Sequence, residues 1–256
     1  MDNRLNSAFK KEGKVLNLYF TAGYPELNDT KKILKIIEDA GVDMVEIGMP
    51  FSDPLADGPT IQQSSGLALD NGMSLKVLFE QLKGIRESIN LPIILMGYLN
   101  PIMQYGIDNF IHSCSQVGVD GLILPDLPLD IYESKYKDLF EQNGIANIFL
   151  VTPQTSEERI KHIDELSSSF IYLVSTASTT GSKDSQVANS KAYFERIKAM
   201  NLNSKTLIGF NVKDQASYDF ACQFADGAII GSAFVKAISQ SGILEGNITS
   251  FIKSIR

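Results

Sequence analysis

Hydrophobic positions along the chain gather into eight short runs: VLNLYF (15–20), MVEIGM (44–49), PIILMGYL (92–99), GLILPD (121–126), ANIFLV (146–151), FIYLVS (170–175), TLIGF (206–210) and GAIIG (227–231). They are continuous rather than alternating, the pattern of parallel strands buried on both faces. Helical stretches are predicted between them. DTKKILKIIEDAG (29–41) has Asp29 as N-cap and Gly41 as its stop. SLKVLFEQLKGIRESI (74–89) starts on Ser74, and IYESKYKDLFEQNG (131–144) ends in Asn-Gly. SEERIKHIDELSS (156–168) carries acids in its first turn, and 190–200, 215–224 and 243–255 complete the set. A further short helix is predicted ahead of the first strand, over about residues 4–12.

Eight strands in 256 residues leave roughly 32 residues per unit, one βα repeat each. Right-handed crossovers then force a parallel sheet. Eight units favour an α/β fold of the (β/α)8 TIM-barrel type, one domain over 1–256. The competitor, an open doubly wound sheet, expects G-x-G-x-x-G after its first strand, where this chain has TAGYPELN.

Charge narrows the range of ligands. Lys+Arg is 23 against Asp+Glu 30, a formal net charge of −7. Such a surface disfavours nucleic acid and anionic membranes, yet a few backbone N–H groups still hold one small phosphate. Cys114 and Cys222 lie far from C-x-x-C spacing and read as buried free thiols of a reducing compartment. The first residues show no apolar secretion signal, and no apolar run reaches the ~18 residues of a membrane span, so a cytoplasmic location is expected.

A barrel's chemistry sits at the C-terminal ends of its strands. Glu46 interrupts an apolar run there; a buried carboxylate must be paired, protonated or functional. One reading is a general acid, the other a structural Glu paired with a Lys or Arg of a neighbouring strand. The loop that follows, PFSDPLADGPT (50–60), is stiffened by three prolines and carries Asp53 and Asp57, either of which can instead serve the turn. Carboxylates at different depths can divide acid and base roles. At the far end, Gly231-Ser232 opens a helix after the eighth strand, a usual phosphate position in barrels. The polar loop 176–185 reads as a lid or as an ordinary surface loop. His112 and His162 fall on helices, so neither zinc nor a Ser-His-Asp site is expected.

The ordered segment V-E-I-G-M-P-F-S-D-P-L-A-D-G-P-T-I-Q (45–62) resembles the signature of the tryptophan synthase α-subunit family. The resemblance extends to 19–25, 91–101, 116–128 and 227–236, nearly the whole chain. It implies a (β/α)8 barrel that cleaves indole-3-glycerol phosphate to indole and glyceraldehyde 3-phosphate without a cofactor. Carried over, Glu46 is the catalytic acid/base and Asp57 the second catalytic carboxylate. Tyr19, Met96, Tyr98 and Ile123 surround the indole; Tyr172, Gly181, Gly231 and Ser232 line the phosphate and glycerol end, with Gly209 and Asn211 beside them. Asp53 and Thr180 sit on the two loops that close the site. The implied partner is a pyridoxal-phosphate-dependent β subunit in an α2β2 heterotetramer, facing 50–54, 100–103 and 127–128. Three positions depart from the family pattern: Ser178-Thr179-Thr180-Gly181 stands for G-V-T-G, Gly209-Phe210-Asn211 for G-F-G, and Thr176 for an arginine. Two other roles stay open, a non-catalytic allosteric partner of the β subunit and a stand-alone indole-releasing lyase.

Overall fold

The computed structural model describes residues 3–175, 183–209 and 211–256, the side chains of 183–188 excepted. The eight predicted strands are present: β1 (Val15–Thr21), β2 (Met44–Gly48), β3 (Ile93–Met96), β4 (Gly121–Ile123), β5 (146–151), β6 (Phe170–Val174), β7 (Lys205–Gly209) and β8 (Gly227–Ile230). All pair in parallel. β5 is interrupted at Ile148, giving nine hydrogen-bonded segments. Ala146–Asn147 pairs with β4 and Phe149–Val151 with β6, while β1 bonds to both β2 and β8. Every strand therefore has two neighbours and the barrel closes, as the sequence predicts.

Continuous apolar runs are explained by two hydrophobic layers. One lies between strands and helices; the other fills the barrel, with Val15, Met44, Ile94, Ile123, Phe170, Leu207 and Ile229. The N-terminal helix, Arg4–Ala8, shorter than the predicted 4–12, seals the lower end of the barrel with Leu5, Ala8 and the adjoining Phe9, whose ring sits 6.0 Å from Phe170. Full burial of a side chain such as Leu5 contributes about 1.5–3 kcal/mol. With the bottom filled, the open end is the C-terminal one.

Local signals held where side chains cap. Ser74 accepts from the Val77 N–H and Ser156 from the Arg159 N–H, while Gly41 and Gly118 turn with positive φ. Asp29 precedes the helix Thr30–Asp39 but does not cap it, because Lys32 binds its carboxylate at 2.8 Å. The helix from Ser74 stops at Leu82, since Gly84 enters the left-handed region. Two helices, after β2 and after β3, went unpredicted: Pro59–Asp70, which buries only Ser64, Ser65 and Ala68 and so shows no apolar stripe, and the short Leu99–Tyr105. The helix expected around His112 is Ile107–Val117. Cys114 is buried, but Cys222 is only half-buried, because it lies on the outer helix Gln215–Cys222; both are free.

Candidate active site

Glu46 is the third residue of β2, in register with Tyr19 on β1 and Ile94 on β3. Period-two alternation turns Asn17, Tyr19 and Glu46 into the barrel. Glu46 is 1% exposed. Its Oε1 accepts a 2.6 Å hydrogen bond from Asn17 Nδ2, and its Oε2 has no partner among the described residues. No Lys or Arg among those residues pairs with it. Desolvation pushes its pKa from the ordinary 4.5 up to about 8, with the Asn17 bond pulling the other way. The carboxyl therefore keeps its proton at neutral pH.

Asp57 ends the proline-rich loop, just before the helix Pro59–Asp70 with its N-cap Gly58 and Pro59 at N1. The Asp57 N–H donates to Pro54 O, and Gln62 Nε2 donates to Asp57 O at 2.8 Å. The side chain does not serve the turn: its Oδ2 accepts from the Tyr98 hydroxyl at 3.0 Å, and that hydroxyl accepts from the Ala56 N–H. Burial raises the Asp57 pKa and the Tyr98 bond lowers it.

Both carboxylates line one cavity of about 390 Å³ at the barrel mouth. Tyr19, Met96, Tyr172, Asn211, Gly231 and Ser232 line it too. Gly231 and Ser232 begin the helix Ser232–Ile238, after β8 and beside β1 and β7. Asn211 takes the left-handed conformation, φ +61°, that its glycine-like position requires. Gly209 acts indirectly: a Cβ there would fall on the Tyr172 hydroxyl, just as a Cβ at Gly48 would fall on that of Tyr19. The two glycines make room for two buried phenols, whose pKa values burial and the nearby carboxylates drive upward.

Three expected residues lie elsewhere. Ile123 does not line the cavity; paired with Met96, it is fully buried in the layer beneath, because β4 ends there. Tyr98 reaches the site only through its hydroxyl on Asp57 and lines an adjoining cleft. Asp53 is exposed, bonded by the Ser52 hydroxyl, and borders a separate groove with Lys76 and Tyr105. Thr180 and Gly181 lie outside the described residues. His112 and His162 sit on outer helices, bonded to Asp108 O and Glu133. Conversely, Ile61, Val212, Lys213 and Ile229 line the cavity without having been anticipated. Ile229 was legible as an inward strand residue, in register with Asn17.

Among the described residues no helix is long and apolar enough to cross a membrane. The family model for the tryptophan synthase alpha chain matches residues 5–253. The tryptophan synthase alpha chain of Flavobacterium psychrophilum is 53% identical over 253 residues, 99% of each chain, and that of Christiangramia forsetii is 53% identical over 254 residues, 99% of this chain and 98% of the other. Among solved structures, the alpha chain from Legionella pneumophila superposes with a TM-score of 0.89 at 30% identity, covering 100% of this chain and 96% of that one. Tryptophan synthase from M. tuberculosis in its aminoacrylate-bound form gives 0.86 at 27% identity, covering 99% and 98%. Fold, cavity and sequence agree, and the chain belongs to the tryptophan synthase alpha chain family.

Proposed function

We propose that the chain cleaves indole-3-glycerol phosphate to indole and glyceraldehyde 3-phosphate, as one barrel domain working at this cavity. The observation that carries this reading is a buried glutamate, with no cationic partner among the described residues, sharing a cavity with an aspartate. Breaking the bond between the indole ring and the glycerol chain requires the ring carbon to be protonated first. Glu46, protonated at neutral pH, gives that proton, and the ring becomes an iminium. Asp57 accepts a hydrogen bond from the indole N–H and stabilises the positive charge as it develops. The Glu46 carboxylate then takes the proton of the hydroxyl on the carbon next to the ring. That carbon becomes an aldehyde, the bonding pair returns to the ring, and Glu46 ends protonated as it began.

The apolar wall of Tyr19, Ile61, Met96 and Ile229 suits a flat heterocycle, and Gly231, Ser232 and Asn211, on the segments after β7 and β8, suit a phosphate. Its relatives are named as alpha chains; accordingly this chain works with a β subunit in an α2β2 assembly, in the cytoplasm, and passes indole on to it. The faces 50–54, 100–103 and 127–128 meet the β subunit, and Asp53 and Thr180 help close the loops over the substrate. An indole-release assay tests the reading: the purified chain should turn over, slowly alone and faster with a β subunit. A wild type no better than Glu46→Gln, with β-subunit activation intact, supports a non-catalytic partner instead. Full activity that no β subunit alters supports a stand-alone lyase.

A further inference from the structure

Polar side chains are rare inside the barrel, and Asn17 is one of them. It lies on β1 two residues before Tyr19, in register with Met44 and Ile229, and is fully buried. An amide placed among apolar residues costs stability unless it serves a partner. Its Nδ2 donates to Glu46 Oε1 at 2.6 Å, while its Oδ1 has no partner among the described residues. Glu46 has the matching asymmetry, one oxygen held and one without a partner.

We propose that Asn17 is a positioning residue for Glu46: by donating to Oε1 it fixes Oε2 as the oxygen that carries the proton and exchanges it with substrate. The inference rests on the cleavage reading above and deepens it. A carboxylic acid accepting a hydrogen bond on one oxygen keeps its own hydrogen on the other. The amide thus selects one of two otherwise equivalent protonation forms, and it pins the side-chain rotamer during both proton transfers. Tyr19 from β1 and Tyr172 from β6 interact with Glu46, and Asp57 from the loop after β2 and Lys213 from the segment after β7 line the same cavity. Ile94 stands opposite on β3. The two phenols stay neutral across the working range, because burial holds their pKa values well above it.

Removing the donor has a signed consequence. A donor favours the charged form, so its loss raises the Glu46 titration midpoint; an amide turned the other way, accepting from a neutral acid, gives a fall instead. The test is a difference-infrared titration of the Glu46 carboxyl in the full chain without substrate, read as wild type minus Glu46→Gln. It is repeated for Asn17→Leu and, in case that variant does not fold, for Asn17→Ala, each read against its own Glu46→Gln double variant. We expect the midpoint to rise by about one pH unit in either variant. In indole release, kcat should drop about tenfold with little change in KM, and the alkaline limb should move upward with the midpoint. A midpoint that stays or falls overturns the proposal, as does an equal loss of activity at every pH. If wild type releases no indole while the infrared midpoint still moves upward, the cleavage reading fails and the coupling of Asn17 to Glu46 stands.

Discussion

Two buried carboxylates occupy opposite ends of the same barrel. Asp120, just before β4 at the closed end, is 3% exposed and surrounded by donors: Arg4 at 3.0 Å, Arg86 at 2.6 Å and the Ile93 N–H at 2.9 Å. Glu46, at the open end, is equally buried yet has one neutral amide and, among the described residues, no cation paired with it. The first arrangement satisfies an ionised carboxylate and ties the N-terminal helix to the strands. The second leaves a carboxylic acid neutral and an oxygen without a partner. Similar burial thus produces a structural anchor at one end and a proton donor at the other, the division expected between the two faces of a barrel.

That contrast is open to attack. The largest effect falls on Glu46→Gln, which should lower the rate of indole release at least ~10²-fold. The same substitution should improve stability at alkaline pH. The folded-state pKa of Glu46 is raised, so its contribution is fully present below about 4.5 and is lost as pH rises through about 8. Thermal melts across that window should slope downward in wild type, and less so in the variant. Asp120→Ala should do the reverse, costing about 3–5 kcal/mol in chemical denaturation because two arginines lose their partner, with turnover per folded molecule unchanged. Activity loss without destabilisation in Asp120→Ala breaks the comparison.

Smaller effects sharpen it. Tyr98→Phe removes the donor to Asp57 and the acceptor for the Ala56 N–H. It should slow cleavage about fivefold, checked by steady-state kinetics. Lys213 lines the cavity and is exposed; Lys213→Ala should raise KM about threefold at low salt, with the effect fading in higher salt.

Much of this was legible in the sequence. Continuous apolar runs gave the strands, and a lone acid within one of them marked Glu46. Asn17 interrupts the first run in the same way, but an amide carries no charge to draw attention and its meaning depends on a partner 29 residues away. The helix Pro59–Asp70 escaped because serines and an alanine form its buried face. Lys213 and Val212 escaped because only strand closure brings the segment after β7 beside β1 and β8. Ile123 was named from the family pattern, and in the barrel it pairs with Met96 at the end of β4.

The pH dependence of indole release is the most direct measurement of the central claim that an uncharged, buried Glu46 delivers the proton. Activity should fall as pH rises through a midpoint near 8, and the residual activity of Glu46→Gln should lack that limb. A wild-type profile that stays flat well above pH 8, or the same limb in Glu46→Gln, would contradict it.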